Sequence, residues 1–169
     1  MLAYVFVIVA ASLRFLPHPF HFTPVGASLL FFGAYRPKRE MWIPVALLAG
    51  SDLLLNRFVY NIPLHADQLV VWAWYAGAIA IGMLLAKQLS APRVVGASLS
   101  ASISFYLVSN FAVWATYEMY PKTWQGLLAC YAAAVPFFRN TVVADLAFSA
   151  VLFSIPLAIA AMRHQKAAI

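Results

Sequence analysis

The stretch VVGASLSASISFYLVSNFAVWATY (residues 94–117) decides the fold. It carries no charged side chain. As an α-helix it extends about 36 Å, at about 1.5 Å per residue, which exceeds the hydrocarbon core of a bilayer, about 30 Å thick. Its apolar residues run continuously instead of alternating, so it does not read as a barrel strand. Ala97 and Ala101, and Ser98 and Ser102, recur at four-residue spacing. Small residues in that register let helix backbones approach closely in lipid.

Outward from this run the chain repeats the theme. Further apolar runs cover residues 2–15, 25–35, 41–56, 67–86 and 140–162. Hydrophobic residues make up 64% of the 169 and charged residues 9%, and the mean hydropathy is +0.85. Such a chain cannot clothe a water-facing surface. The expected fold is an all-α, polytopic membrane bundle of about six transmembrane helices, with residues 1–169 forming a single integral membrane domain. The apolar N-terminus reads as a retained first helix, without the basic start or cleavage site of a signal peptide. Pro17, Pro19 and Pro24 mark a structured loop over 17–24, because proline withholds a backbone donor and keeps its predecessor out of the helical region. Asp67 is placed to cap the fourth helix. Residues 123–138, cut by Pro136, read as a short helix lying at the surface or dipping into the membrane before the last span, not as a seventh span.

The formal net charge is +6, yet the basic residues flank the spans, so nucleic acid is not the expected partner. With six spans both ends share one side. Arg36, Lys38, Arg39, Lys87, Arg93, Arg163 and Lys166 fall on that side, and Arg14, Arg57, Lys122 and Arg139 on the other. Cytoplasmic loops carry the Lys/Arg excess, so both termini are expected in the cytoplasm of a multi-pass protein of the bacterial inner membrane.

The remaining polar residues are few and one-sided. On this topology Asp52, Asn56, Asn110, Arg139, Asn140 and Asp145 all fall in the outer half. An ionisable group in hydrocarbon costs about 2.5–3.5 kcal/mol on insertion scales, so it needs a partner or a task. Aspartate and arginine supply charge, and asparagine amides both donate and accept. Walled by Trp114, Tyr131 and Phe138, such groups suit a flat polar ligand. The same groups also serve as interhelical glue, with Arg139 paired to Asp145 or Asp52. His18 and His21 belong to the outer rim and touch ligand there. Two histidines do not make a metal site, so no metal or other cofactor is expected. Cys130, the single cysteine, excludes an internal disulfide and reads as a small buried hydrophobe. Gly26, Gly33 and Gly50 read as helix-packing positions. No nucleophile–base constellation or phosphate-binding loop appears, so an enzyme is not expected.

Several blocks carry a resemblance: RFLPHP (14–19) with FTPVGA (22–27), SD (51–52), SNFAVW (109–114), and YPKT (120–123) through GLLACY (126–131) to PFFRNT (136–141). Together they resemble a bacterial domain-of-unknown-function family described as membrane transport proteins. The layout is also similar to S components, the substrate-binding subunits of energy-coupling-factor vitamin transporters. That resemblance implies six helices with cytoplasmic ends and an outward site beneath loops. It also implies an energy-coupling ATPase module as partner, docked on an alanine-spaced face of the first helix, of which Ala3, Val7 and Ala11 keep part. The expected function is small-molecule membrane transport or substrate capture of a vitamin-like, nucleobase-like or other small polar ligand. The alternative is an accessory or structural subunit of a larger membrane complex.

Overall fold

The computed structural model describes residues 1–16 and 22–167. Among these residues there are six α-helices and no strand: α1 (Leu2–Leu13), α2 (Val25–Tyr35), α3 (Trp42–Leu55), α4 (Asp67–Met83), α5 (Ala91–Thr116) and α6 (Trp124–Ala167). A 3-10 turn at Lys38–Glu40 leads into α3, and a π turn at Asn56–Tyr60 ends it. Asn61 closes that turn in the left-handed conformation, with φ 52°, which asparagine tolerates better than most residues. Three stretches are long and apolar enough to cross a membrane: Lys38–Tyr60, Ala91–Thr116 and Trp124–Ile159. The protein is accordingly of the membrane class.

Two local expectations need correction. Asp67 is the first helical residue of α4, and the capping position belongs to Ala66. The segment 123–138 is not a separate surface helix. It is the first part of α6, a 44-residue helix that runs through both Pro136 and Pro156. A proline inside a helix removes one intrahelical bond, which normally favours a break. In apolar surroundings breaking would expose several more backbone groups with no water to satisfy them, so the helix continues.

Interhelical contacts fix the directions of the helices. Phe6 meets Phe31, and Tyr4 meets Phe32, so α1 and α2 are antiparallel. Arg14 reaches Asp52, and Tyr4 reaches Glu40 at 2.5 Å, so α1 and α3 are parallel. Asn56 bonds Gln68, and Trp74 bonds Ser104, each at 3.0 Å, so α4 runs against both α3 and α5. Ser98 bonds Ser149 at 2.8 Å and Ser102 bonds Asp145 at 2.6 Å, one turn apart along an antiparallel α5–α6 seam. The chain therefore alternates direction helix by helix.

The shortest helix sits at the centre. Every residue of α2 from Val25 to Gly33 is buried, as its all-round apolar sequence requires. Phe31 anchors a ring cluster with Phe6, Tyr35 and Phe153. Against α4 the backbones nearly touch. A Cβ on Gly33 would stand 2.1 Å from the Ile79 carbonyl oxygen, and one on Gly82 would stand 2.3 Å from that of Leu30. Gly50 has nothing within 4 Å of its would-be Cβ, so it is not a packing glycine. The Ala3, Val7 and Ala11 face of α1 is buried within the chain, at 3%, 2% and 7% exposure, and is not an open docking face. Helix lengths then shape one end. At about 1.5 Å per residue, α1 and α2 extend about 18 and 17 Å, whereas α5 extends about 39 Å. Where α1 stops and α2 begins, α3, α4, α5 and α6 continue and enclose a gap.

Candidate functional site

That gap is a cavity of about 530 Å³. Its floor is the first turn of α2, with Val25 and Gly26, and Arg14 to Leu16 and Thr23 approach from the chain between α1 and α2. The walls come from Asp52 on α3, Trp74 and Tyr75 on α4, Phe105 on α5, and Thr141 and Asp145 on α6. Val59 and Tyr60, from the π turn after α3, and Gln68 and Val71 of α4 also line it.

Asp52 is 3% exposed and its hydrogen-bonding capacity is well used. One carboxylate oxygen forms an ion pair with the Arg14 guanidinium. The other accepts Trp72 Nε1–H at 2.9 Å and the Tyr75 hydroxyl at 3.0 Å. Arg14 also donates to Ser51 Oγ at 2.7 Å. Ser51 and Asp52 are adjacent, so the two guanidinium nitrogens grip neighbouring residues of α3. This network joins α1, α3 and α4 and neutralises both charges internally, which is what a buried ion pair needs in order not to be a burden.

Asp145 is equally enclosed, at 3% exposure, but differently served. Ser102 Oγ donates to its Oδ2 at 2.6 Å, and among the described residues no cation pairs with it. Its other oxygen lies against Gly26, where a Cβ would come within 2.3 Å of it. Glycine at 26 is thus what leaves space for the carboxylate beside the first turn of α2. Among the described residues no fully enclosed side-chain nitrogen or oxygen lacks a hydrogen-bond partner, so the oxygen that Ser102 leaves over is one the cavity reaches.

The structure brings together only part of the expected cluster. Asp52 and Asp145 share the cavity. Asn56 stands at its edge, holding Gln68 of the lining at 3.0 Å. Asn110 is turned onto its own helix, donating to the Tyr106 carbonyl at 2.8 Å. Trp114 belongs to the α5–α6 turn: its indole N–H donates to the Pro121 carbonyl at 2.9 Å, and Lys122 caps the end of α5 through the Trp114 and Tyr117 carbonyls. Tyr131 donates to the Leu107 carbonyl at 2.7 Å and Phe138 packs on Tyr106, so both serve the α5–α6 seam. Arg139 and Asn140 are exposed on α6 and do not line the cavity. The continuous α6 explains these departures. One unbroken helix spreads residues 131–145 around its circumference, so only those facing the bundle can meet Asp145. His18 and His21 lie outside the described residues.

Sequence reasoning missed Arg14, Trp72, Tyr75, Ser102, Trp74 and Phe105 as site residues. Arg14 offered a signal: it is the first cation after an apolar run, and two parallel helices of similar length bring it level with Asp52. Cys130 is buried and donates weakly to the Asn110 carbonyl at 3.5 Å. Among the described residues no three His, Cys, Asp or Glu side chains lie close enough to hold a metal ion.

A family model matches residues 1–167, nearly the whole chain, and its description is a family of unknown function, DUF6580. No curated protein and no solved structure matches the chain.

Proposed function

The chain belongs to DUF6580, a family of unknown function, and from that premise we infer its role from the cavity: capture or membrane transport of a small molecule. The observation that carries this reading is a cavity of about 530 Å³ between membrane-class helices, lined by two buried carboxylates from different helices. Small-molecule sites of this kind are concave, mostly apolar, and carry a few placed polar groups. Ionisable residues kept within apolar helices mark such sites more often than they mark surfaces.

The proposed setting is a six-span protein of the bacterial inner membrane with cytoplasmic ends. The Lys/Arg bias supports it. The helix ends away from the cavity hold Arg36, Lys38, Arg39, Lys87, Arg93, Arg163 and Lys166, and the helix ends on the cavity side hold Arg14, Arg57 and Lys122, with Arg139 falling inside α6. The cavity then opens outward. The S-component-like layout supports a capture subunit driven by an energy-coupling ATPase module. With α1's small-residue face buried, such a module would dock elsewhere. The test is thermal stabilisation of the purified protein by members of a vitamin and metabolite panel, paired with uptake by cells lacking the gene. A hit whose uptake falls on deletion supports capture, and a silent panel with unchanged uptake refutes it.

One observation favours a second reading, an accessory subunit of a larger complex. The Asp52 network is complete without any ligand, which is how structural glue looks. A stoichiometric complex purified from native membranes without an ATPase would favour that role.

A further inference from the structure

The two cavity carboxylates are not equivalent. Asp52 is matched by Arg14 and further held by Trp72 and Tyr75. Asp145 has the Ser102 hydroxyl alone. The elements packed on Asp145 supply no compensating charge: α2 presents Gly26, α5 presents Ser102, and the other ionisable groups of the described lining are Tyr60, Tyr75 and the mutually neutralised Arg14 and Asp52. With Asp145 ionised, the described lining therefore carries one uncompensated negative charge. In apolar surroundings such a charge draws in a proton or a cation.

The aromatic part of the same cavity lining suits the second. Trp74 and Phe105 both line the cavity, their ring centroids 4.7 Å apart and their planes tilted by 52°. Aromatic faces attract cations, tryptophan most strongly, and more so where water is excluded. Arg14, the one cation of the described lining, is occupied by Ser51 and Asp52, so an anionic ligand finds no free counter-charge there.

The geometry points to a small organic cation, a protonated amine or a positively charged heteroaromatic ring, seated with its charge on Asp145 and its body against Trp74 and Phe105. This inference rests on the capture reading and assigns its ligand class.

The experiment uses sets of probes matched in shape and differing in charge. One set is 1-methylnicotinamide, nicotinamide and nicotinate; another is choline and its neutral isostere 3,3-dimethyl-1-butanol. Thermal unfolding of the full-length protein in detergent is read with each probe at millimolar concentration. The cations are expected to raise the melting temperature by a few degrees, and their neutral and anionic counterparts to leave it unchanged. Asp145→Asn is expected to abolish the shift while the protein's own melting temperature does not fall, and Trp74→Ala to weaken it. A second measurement needs no variant. Dicyclohexylcarbodiimide labels enclosed carboxyl groups, and mass spectrometry of the wild-type protein is expected to find label on Asp145 and not on Asp52, reduced by the cations alone. A neutral or anionic probe that stabilises as well as its cation overturns the charge assignment and leaves capture standing. So does a cation shift that persists in Asp145→Asn. If no probe of any charge shifts the melting temperature or protects Asp145, the cation inference falls, and with the vitamin and metabolite panel also silent the capture reading falls too.

Discussion

Arg14 and Asp52 make the sharpest energetic statement at the level of single residues. Removing one partner of a buried ion pair strands the other, at a cost of about 3–5 kcal/mol, whereas removing both costs far less. Arg14→Gln is expected to destabilise the protein by about that amount, and Arg14→Gln combined with Asp52→Asn to recover most of the loss. Unfolding in mixed micelles with increasing denaturing detergent measures both. Trp72→Phe removes one donor from a carboxylate that keeps two, and is expected to cost about 1.5–3 kcal/mol, as for a hydrogen bond to a charged group. At this scale the sequence made Asp52 and Asp145 legible, because a carboxylate inside an apolar run stands out. It did not reveal their partners. Arg14 counted only as a basic residue of the outer side, and Trp72 and Tyr75 did not stand out, because partners that come from other helices leave no local mark. Asn110 misled for the opposite reason: an amide in an apolar helix can satisfy itself on the carbonyl four residues back, as it does with Tyr106.

Among the elements, the α2–α4 crossing and the long α6 carry the information. The reciprocal contacts of Gly33 and Gly82 with opposing carbonyls leave no space for a methyl group. Gly33→Ala or Gly82→Ala is expected to cost about 1–3 kcal/mol by forcing the helices apart. Gly50→Ala, where the methyl meets open space, is expected to be neutral or stabilising by up to about 1 kcal/mol, because alanine favours the helix. The same unfolding assay ranks the three variants, and a Gly33→Ala protein as stable as Gly50→Ala would contradict the packing. Helix positions were well marked in the sequence because apolar runs and proline-rich breaks bound them: 25–35 coincides with α2. Pro136 was read as a break, and there a local propensity lost to the shortage of backbone partners in apolar surroundings.

For the whole molecule, the alternation of helix directions puts the Asn56–Ala66 and Tyr117–Thr123 connections at the cavity end. With outward orientation, a cysteine placed at Asn61 or Met119 is expected to react with a membrane-impermeant maleimide in intact cells, and one at Lys38 or Lys87 only after lysis. Cys130 is replaced by alanine in this background. In the native protein Cys130, 3% exposed, is expected to resist the same reagent until the fold is opened. Labelling at Lys38 in intact cells would invert the topology and turn the cavity toward the cytoplasm.

Composition and run length alone determined the membrane class, the all-helical architecture, the near-correct boundaries of the first five helices and the placing of most basic residues at one set of helix ends. These follow from local physics: how much apolar surface a segment carries and where its backbone must break. Tertiary structure alone decided that two short helices leave a cavity among four longer ones, and that Arg14 closes on Asp52. It also decided that Gly26 makes room for Asp145, and that Asn110, Arg139 and Asn140 stand apart from the cavity. Those outcomes depend on the angular position of each residue around its helix and on which helix faces it, and neither is encoded within a single run of residues.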